Sequence, residues 1–191
     1  MRKIPFTQEM IDRAIQRAKD FSPSARRSQV KHSGTGLSNV KVAGFLAEEA
    51  IAEYLNAELV LGEDRYNYDL VLADGTRTEV KSKRRTVAPK PNYEVSVYQV
   101  SKFQKPDLYM FCSLQYEKSS RIGKAIQYDN LLHIWLLGQK KPETFFRKAT
   151  FWDEGDYDNR NKLLLKSKSY NIEIKDLDEI GDQYDKHTLR E

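Results

Sequence analysis

Residues 66–85 read YNYDLVLADGTRTEVKSKRR, two strand-like runs around an Asp74-Gly75 turn. The length of the turn decides which side chains share a face. With Asp74-Gly75 alone as the loop, Leu70 faces Glu79, and Leu70 and Leu72 fall on one face with Arg77 and Glu79. With Ala73-Asp74-Gly75 as the loop, Gly75 takes a positive φ. Leu72 then faces Thr76, Leu70 faces Thr78, and Asp69 faces Glu79. This register puts Tyr68, Leu70, Leu72, Thr78 and Val80 on one face and Asp69, Arg77, Glu79, Lys81 and Lys83 on the other. It separates apolar from charged side chains and is the register expected.

Two carboxylates opposite each other on adjacent strands repel. A divalent cation with oxygen ligands accounts for keeping them, and Lys81 adds a second positive group. The plainer alternative has Asp69 capping the strand and Glu79 and Lys81 in water. Spacing alone leaves both readings open.

Outward from this hairpin, residues 39–56 predict a helix with Ala43, Leu46, Ala47, Ala50, Ile51 and Tyr54 along one stripe. Glu48 lies at the stripe's border, within reach of a sheet edge. Glu49 points away from the stripe, toward solvent. Residues 7–21 predict an earlier helix capped by Thr7, and the aperiodic stretch 22–36 reads as a loop or flexible arm. Strands are expected near 58–61, 66–73, 76–83, 93–98, 107–114, 133–139 and 169–177. A short helix turning into a strand is expected over 144–152, and a loop at GDYDNRNKL. The order predicts a mixed α/β (α+β) fold around one sheet. Residues 1–36 would form a helix and basic arm, and 37–191 a single domain.

The chain has 191 residues, enough for one core, and 31% of them are charged. The net charge of +4 is unevenly spread. From Arg77 to Lys105 the only acids are Glu79 and Glu94, whereas the C-terminal stretch is acidic. That pattern fits a local face for a polyanion, or else a solvated charged surface. The single cysteine, Cys112, excludes an internal disulfide, and its apolar surroundings predict a reduced core residue. With no signal-peptide pattern and no apolar run of membrane-spanning length, a cytoplasmic protein with no membrane association is expected. No histidine pair has metal-ligand spacing, and no phosphate-binding Gly-rich loop is present, so no nucleotide cofactor is expected.

Glu48 within GFLAEEAIAEYL, Asp69 at a strand start, and Glu79-Val80-Lys81 within ADGTRTEVKSKRR together resemble the PD-(D/E)XK nuclease superfamily. Tyr68 stands where the motif's proline would be. FQKPDLYMF resembles a stretch of small phage-encoded and homing-type members in which a glutamine precedes the next strand. Here that glutamine is Gln104, with Gln99 as the rival. The resemblance implies a restriction-endonuclease-like core, a central mixed sheet flanked by helices. It also implies phosphodiester hydrolysis of DNA with Mg²⁺, or Mn²⁺ as a substitute, and often a homodimer. Asp69, Glu79 and the Val80 carbonyl would hold the ion, with Glu48 on it directly, through water or on a second ion. Lys81 would act on the attacking water, and Gln104 would position water or backbone. Lys83, Arg84, Arg85, Lys90, Lys102 and Lys105 would neutralise phosphates, with Arg26 and Arg27 of the arm. A site-specific duplex cutter of homing or restriction type is the leading expectation. The alternatives are a Holliday-junction resolvase and a non-catalytic nucleic-acid-binding protein on the same fold.

Overall fold

A computed structural model of the chain contains the three-residue turn. Gly75 has a φ of 84°, and its N–H donates to the Leu72 carbonyl at 2.8 Å. Asp74 Oδ1 accepts from the Thr76 N–H at 2.9 Å, closing the loop from within. The ladder pairs Leu70 with Thr78 and Val71 with Arg77, the expected register. Leu70, Leu72, Thr78 and Val80 are all buried.

The structure describes residues 1–20, 39–62, 64–118, 130–159 and 162–181. In chain order these form β1 (Arg2–Ile4), α1 (Gln8–Asp20), α2 (Asn39–Leu55), β2 (Glu58–Leu59), β3 (Leu70–Val71), β4 (Arg77–Arg85) and β5 (Glu94–Tyr98). Then follow β6 (Leu108–Tyr116), β7 (Leu131–Lys140), α3 (Pro142–Lys148), β8 (Thr150–Trp152), β9 (Tyr157–Asp158), β10 (Leu163–Leu164) and β11 (Ser169–Glu173). The fold is mixed α/β. Its six-stranded sheet has the order β1-β7-β6-β4-β3-β2, with β4 and β6 parallel and the other pairs antiparallel. A second antiparallel sheet has the order β5-β11-β8.

The central sheet is buried on both faces. Strand β6, LYMFCSLQY, therefore reads as a nearly unbroken apolar run rather than an alternating one. Met110, Cys112 and Leu114 join α1 and α2 in one core, whereas Tyr109 and Phe111 join Phe145 of α3 and Val95 and Val97 of β5 in another. Cys112 is a free thiol in the first core, and burial pushes its pKa up. Helix α2 carries Ala43, Ala47, Ala50 and Ala52, strong helix formers that also let it lie close to its neighbours. Helix α1 buries Met10, Ile11, Ala14 and Ala18 in the same core, and Thr7 Oγ1 caps it by accepting from the Met10 N–H at 3.2 Å. The arm at 22–36, with Arg26 and Arg27, lies outside the described residues.

Three local expectations are revised. Strand β3 is only two residues long, because Asp64–Tyr66 forms a 3₁₀ turn that delays entry into the sheet. The stretch read as a loop, GDYDNRNKL, contains β9 and pairs it with β10. Strand β1, three residues near the chain's start, was not expected and pairs with β7 at the sheet edge.

Candidate active site

Alternation along β4 sends Glu79 and Lys81 to one face and Val80 to the other. Lys81 Nζ donates to Glu79 Oε1 at 2.6 Å, to Ser101 Oγ at 3.1 Å and to Gln104 Oε1 at 3.1 Å. Gln104 Nε2 donates to the same Glu79 oxygen at 2.8 Å and reaches the Tyr66 carbonyl at 3.4 Å. The ammonium is thus held by three acceptors and cannot swing freely. The other carboxylate oxygen, Glu79 Oε2, is buried and has no partner among the described residues. A buried carboxylate oxygen left unpaired is costly, and a cation or a water donor would satisfy it.

Asp69 sits one residue before β3. Its Oδ2 accepts from the Val80 N–H at 2.8 Å, while its own N–H donates to the Thr78 carbonyl at 2.9 Å. This double tether fixes the carboxylate beside Glu79. Burial, then the nearby Glu48 and Glu79 charges, hold the Asp69 carboxyl well above the usual carboxylate range, against the pull of Lys81 and the Val80 N–H.

Glu48 approaches from α2. Burial is the main cause of its raised pKa, about 7, and Glu79 and Glu49 push in the same direction. The opposing group is Arg17 of α1, whose Nη2 donates to Glu48 Oε2 at 2.7 Å. Geometry alone would suggest a plain ion pair, but desolvation and two neighbouring carboxylates outweigh the single guanidinium.

Glu49 is not in solvent, as the helix period had predicted. It is 3% exposed and bonded to Arg13 Nε at 2.8 Å and Arg17 Nη1 at 3.1 Å. Packing of α1 on α2 covers the face that the isolated helix would have shown to water. Neither Arg13 nor Arg17 was singled out in the sequence. Both lie on the polar side of an amphipathic helix, where charge usually means solvent.

Asp69, Glu79, Lys81 and Gln104 thus come together, with Glu48 close enough to act on both acids. Gln99 does not join them: its N–H bonds the Lys168 carbonyl and the residue is exposed. Ser101 is an unforeseen member, a serine in a short turn that carries no motif. Tyr109 is another. Its ring lies 5.9 Å from Lys81 Nζ, and burial, together with Glu79, raises its hydroxyl to about 12.

Among the described residues, no group of three or more His, Cys, Asp or Glu is arranged to hold a metal ion. Magnesium does not need such a cage, because it keeps several waters and takes one or two carboxylates. The orphaned Glu79 oxygen and the mutually repelling Asp69, Glu79 and Glu48 fit such an ion.

The basic residues divide into two groups. Arg84, Lys90, Lys102 and Lys105 are exposed. Lys83 Nζ and Arg85 Nη2 both donate to the Glu94 carbonyl, at 3.1 and 2.8 Å, and so join β4 to β5. Burial, then the neighbouring Arg85, lowers Lys83 to about 8. Lys83, Arg84, Arg85 and Lys166 line a cleft of about 850 Å³ on the way to β9 and β10. No helix among the described residues is long and apolar enough to cross a membrane. No protein-family model matches the chain, and no curated protein matches it significantly.

Proposed function

We propose that the chain is a divalent-metal-dependent DNA endonuclease with a restriction-endonuclease-like core of the PD-(D/E)XK type. The observation that carries this reading is the buried Glu79. One of its oxygens is shared by Lys81 and Gln104, the other has no partner among the described residues, and a second carboxylate, Asp69, is tethered beside it. A solvated surface pair would need none of this.

Asp69 and Glu79, with the Val80 carbonyl, would hold Mg²⁺ or Mn²⁺, and Glu48 would add charge directly or through water. The ion, when bound, polarises the phosphate and lowers the pKa of water. Lys81 orients the attacking water and stabilises negative charge growing on the phosphate. Gln104 and Ser101 keep the Lys81 ammonium at one position, which makes the electrostatic arrangement preorganised. Arg84, Lys90, Lys102 and Lys105 supply exposed positive charge for the nucleic-acid backbone. Acting on both strands symmetrically would require two sites, which a homodimer provides.

Paramagnetic Mn²⁺ titration tests the ion site directly. Binding by the intact protein that is lost in both Asp69→Asn and Glu79→Gln supports the reading. Equal binding by all three proteins refutes this ligand set.

A further inference from the structure

Residues Gln99–Phe103 form a 3₁₀ turn that Gln104 closes, its N–H donating to the Ser101 carbonyl at 3.0 Å. In a 3₁₀ turn, side chains three residues apart eclipse one another. Ser101 and Gln104 therefore face inward together, both onto Lys81. Val100 and Phe103 face outward together, 45% and 83% exposed. Lys102 and Lys105 make a third row, also exposed. Lys102 Nζ lies 6.0 Å from the Phe146 ring and 5.9 Å from the Tyr170 ring, so its stem leans back on the body of the protein.

Val100 and Phe103 together form a small exposed apolar patch, the kind of surface feature that marks a contact site. Here Phe103 sits one residue from Gln104, with a lysine on each side of that pair. Positive charge beside an exposed aromatic suits a ligand that is anionic along its backbone and flat in its side groups. Single-stranded or locally opened nucleic acid has both properties.

We infer that Phe103, with Val100, is a wedge that stacks on an unpaired or unstacked base beside the scissile phosphate, while Lys102 and Lys105 hold the flanking phosphates. The inference rests on the nuclease reading for its nucleic-acid partner, and it narrows the substrate. The preferred DNA would contain a base step that is already open or easily opened, as in a junction, a bulge or a flexible pyrimidine–purine step. An uninterrupted rigid duplex would bind less well.

The test uses the full chain in EDTA, where no cleavage occurs. The probes are a bulged duplex, a four-way junction and a continuous duplex, each carrying 2-aminopurine, whose fluorescence rises as it leaves the base stack. The expected result is a fluorescence increase on the bulge and junction and a smaller one on the duplex. Phe103→Ala should weaken binding of the bulged probe about tenfold or more and abolish the fluorescence change. Its salt dependence should equal that of the intact protein, because no charge is removed. Phe103→Trp should restore binding. Lys102→Ala should behave oppositely, lowering the salt slope by about one while keeping the fluorescence change.

Equal affinity and equal fluorescence change in Phe103→Ala overturn the inference. So does a dimer in DNA-free solution that Phe103→Ala disperses, since that assigns the face to a second copy of the chain. Phe103-dependent stacking without cleavage in Mg²⁺ contradicts the nuclease reading and leaves the wedge standing. Binding to none of the probes contradicts both.

Discussion

Gln104 Oε1 accepts from Lys81 Nζ at 3.1 Å, and the same side-chain amide donates to the Glu79 oxygen that Lys81 binds. Three side chains from two separated segments thus lock one another in a closed triangle. Removing Gln104 leaves the ion pair and the Ser101 hydrogen bond but loosens the hold on the ammonium. Gln104→Ala should lower cleavage about ten- to hundredfold, the usual cost of losing a group that orients a metal site. Single-turnover rates with saturating enzyme measure this without interference from binding.

Asp69→Asn separates electrostatic cost from function. The amide keeps an oxygen for the Val80 N–H but removes a charge that Glu48 and Glu79 oppose. Without metal at pH 8, the variant should be more stable than the parent, because burial and the neighbouring Glu48 and Glu79 disfavour the Asp69 charge. Added Mg²⁺ should stabilise the parent and not the variant. Thermal melts with EDTA and with Mg²⁺ give all four values.

The raised pKa of Glu48 predicts a pH dependence. A carboxyl held at about 7 when folded, against an ordinary 4.5, favours the folded state fully below 4.5 and loses that contribution as pH rises through 7. Metal-free stability should therefore fall between about pH 5 and pH 8, by on the order of 3 kcal/mol from this group. Asp69 acts in the same direction. Denaturant melts at several pH values should show a shallower decline in Glu48→Gln. Arg17→Met should steepen the decline, because it strips Glu48 and Glu49 of a shared cation. Breaking a buried pair this way costs about 3–5 kcal/mol.

Arg84 and Arg85 are adjacent in sequence and should differ in effect. Arg84 is exposed, so Arg84→Ala should lower the salt slope of DNA binding by about one with little change in stability. Arg85 Nη2 bonds the Glu94 carbonyl, and its guanidinium lies 5.0 Å from the Tyr93 ring. Arg85→Ala should cost about 1 kcal/mol of stability by removing one hydrogen bond and the Tyr93 contact, with Lys83 still donating to the Glu94 carbonyl. Salt titrations and melts on the two variants separate the roles.

The hairpin register was legible because period-two alternation and a glycine at the turn admit only one tidy solution. The register brings Asp69, Glu79 and Lys81 to one face, whereas Gln104 was reached only through the resemblance, with Gln99 as its rival. The position of Glu49 was not legible. A helix period describes a helix with one packed face, and α2 is packed on two, by the sheet and by α1. Arg17 and Ser101 carried no signal, since each acts through a tertiary contact with a distant segment. The short β3 was hidden because its flanking aromatics have strand propensity, although the 3₁₀ turn at Asp64–Tyr66 takes them out of the sheet.

The most direct test is cleavage of a supercoiled plasmid and a synthetic four-way junction in Mg²⁺ by the intact protein and by Lys81→Ala. Lys81 touches Glu79, Ser101 and Gln104 from a position where its loss leaves the exposed lysines and arginines in place. The account predicts cleavage by the intact protein, at least a hundredfold loss in Lys81→Ala in line with removing a preorganised electrostatic group, and binding within a few-fold of the parent. Equal cleavage by both proteins, or none by the intact protein on either substrate with Mg²⁺ bound, would contradict it.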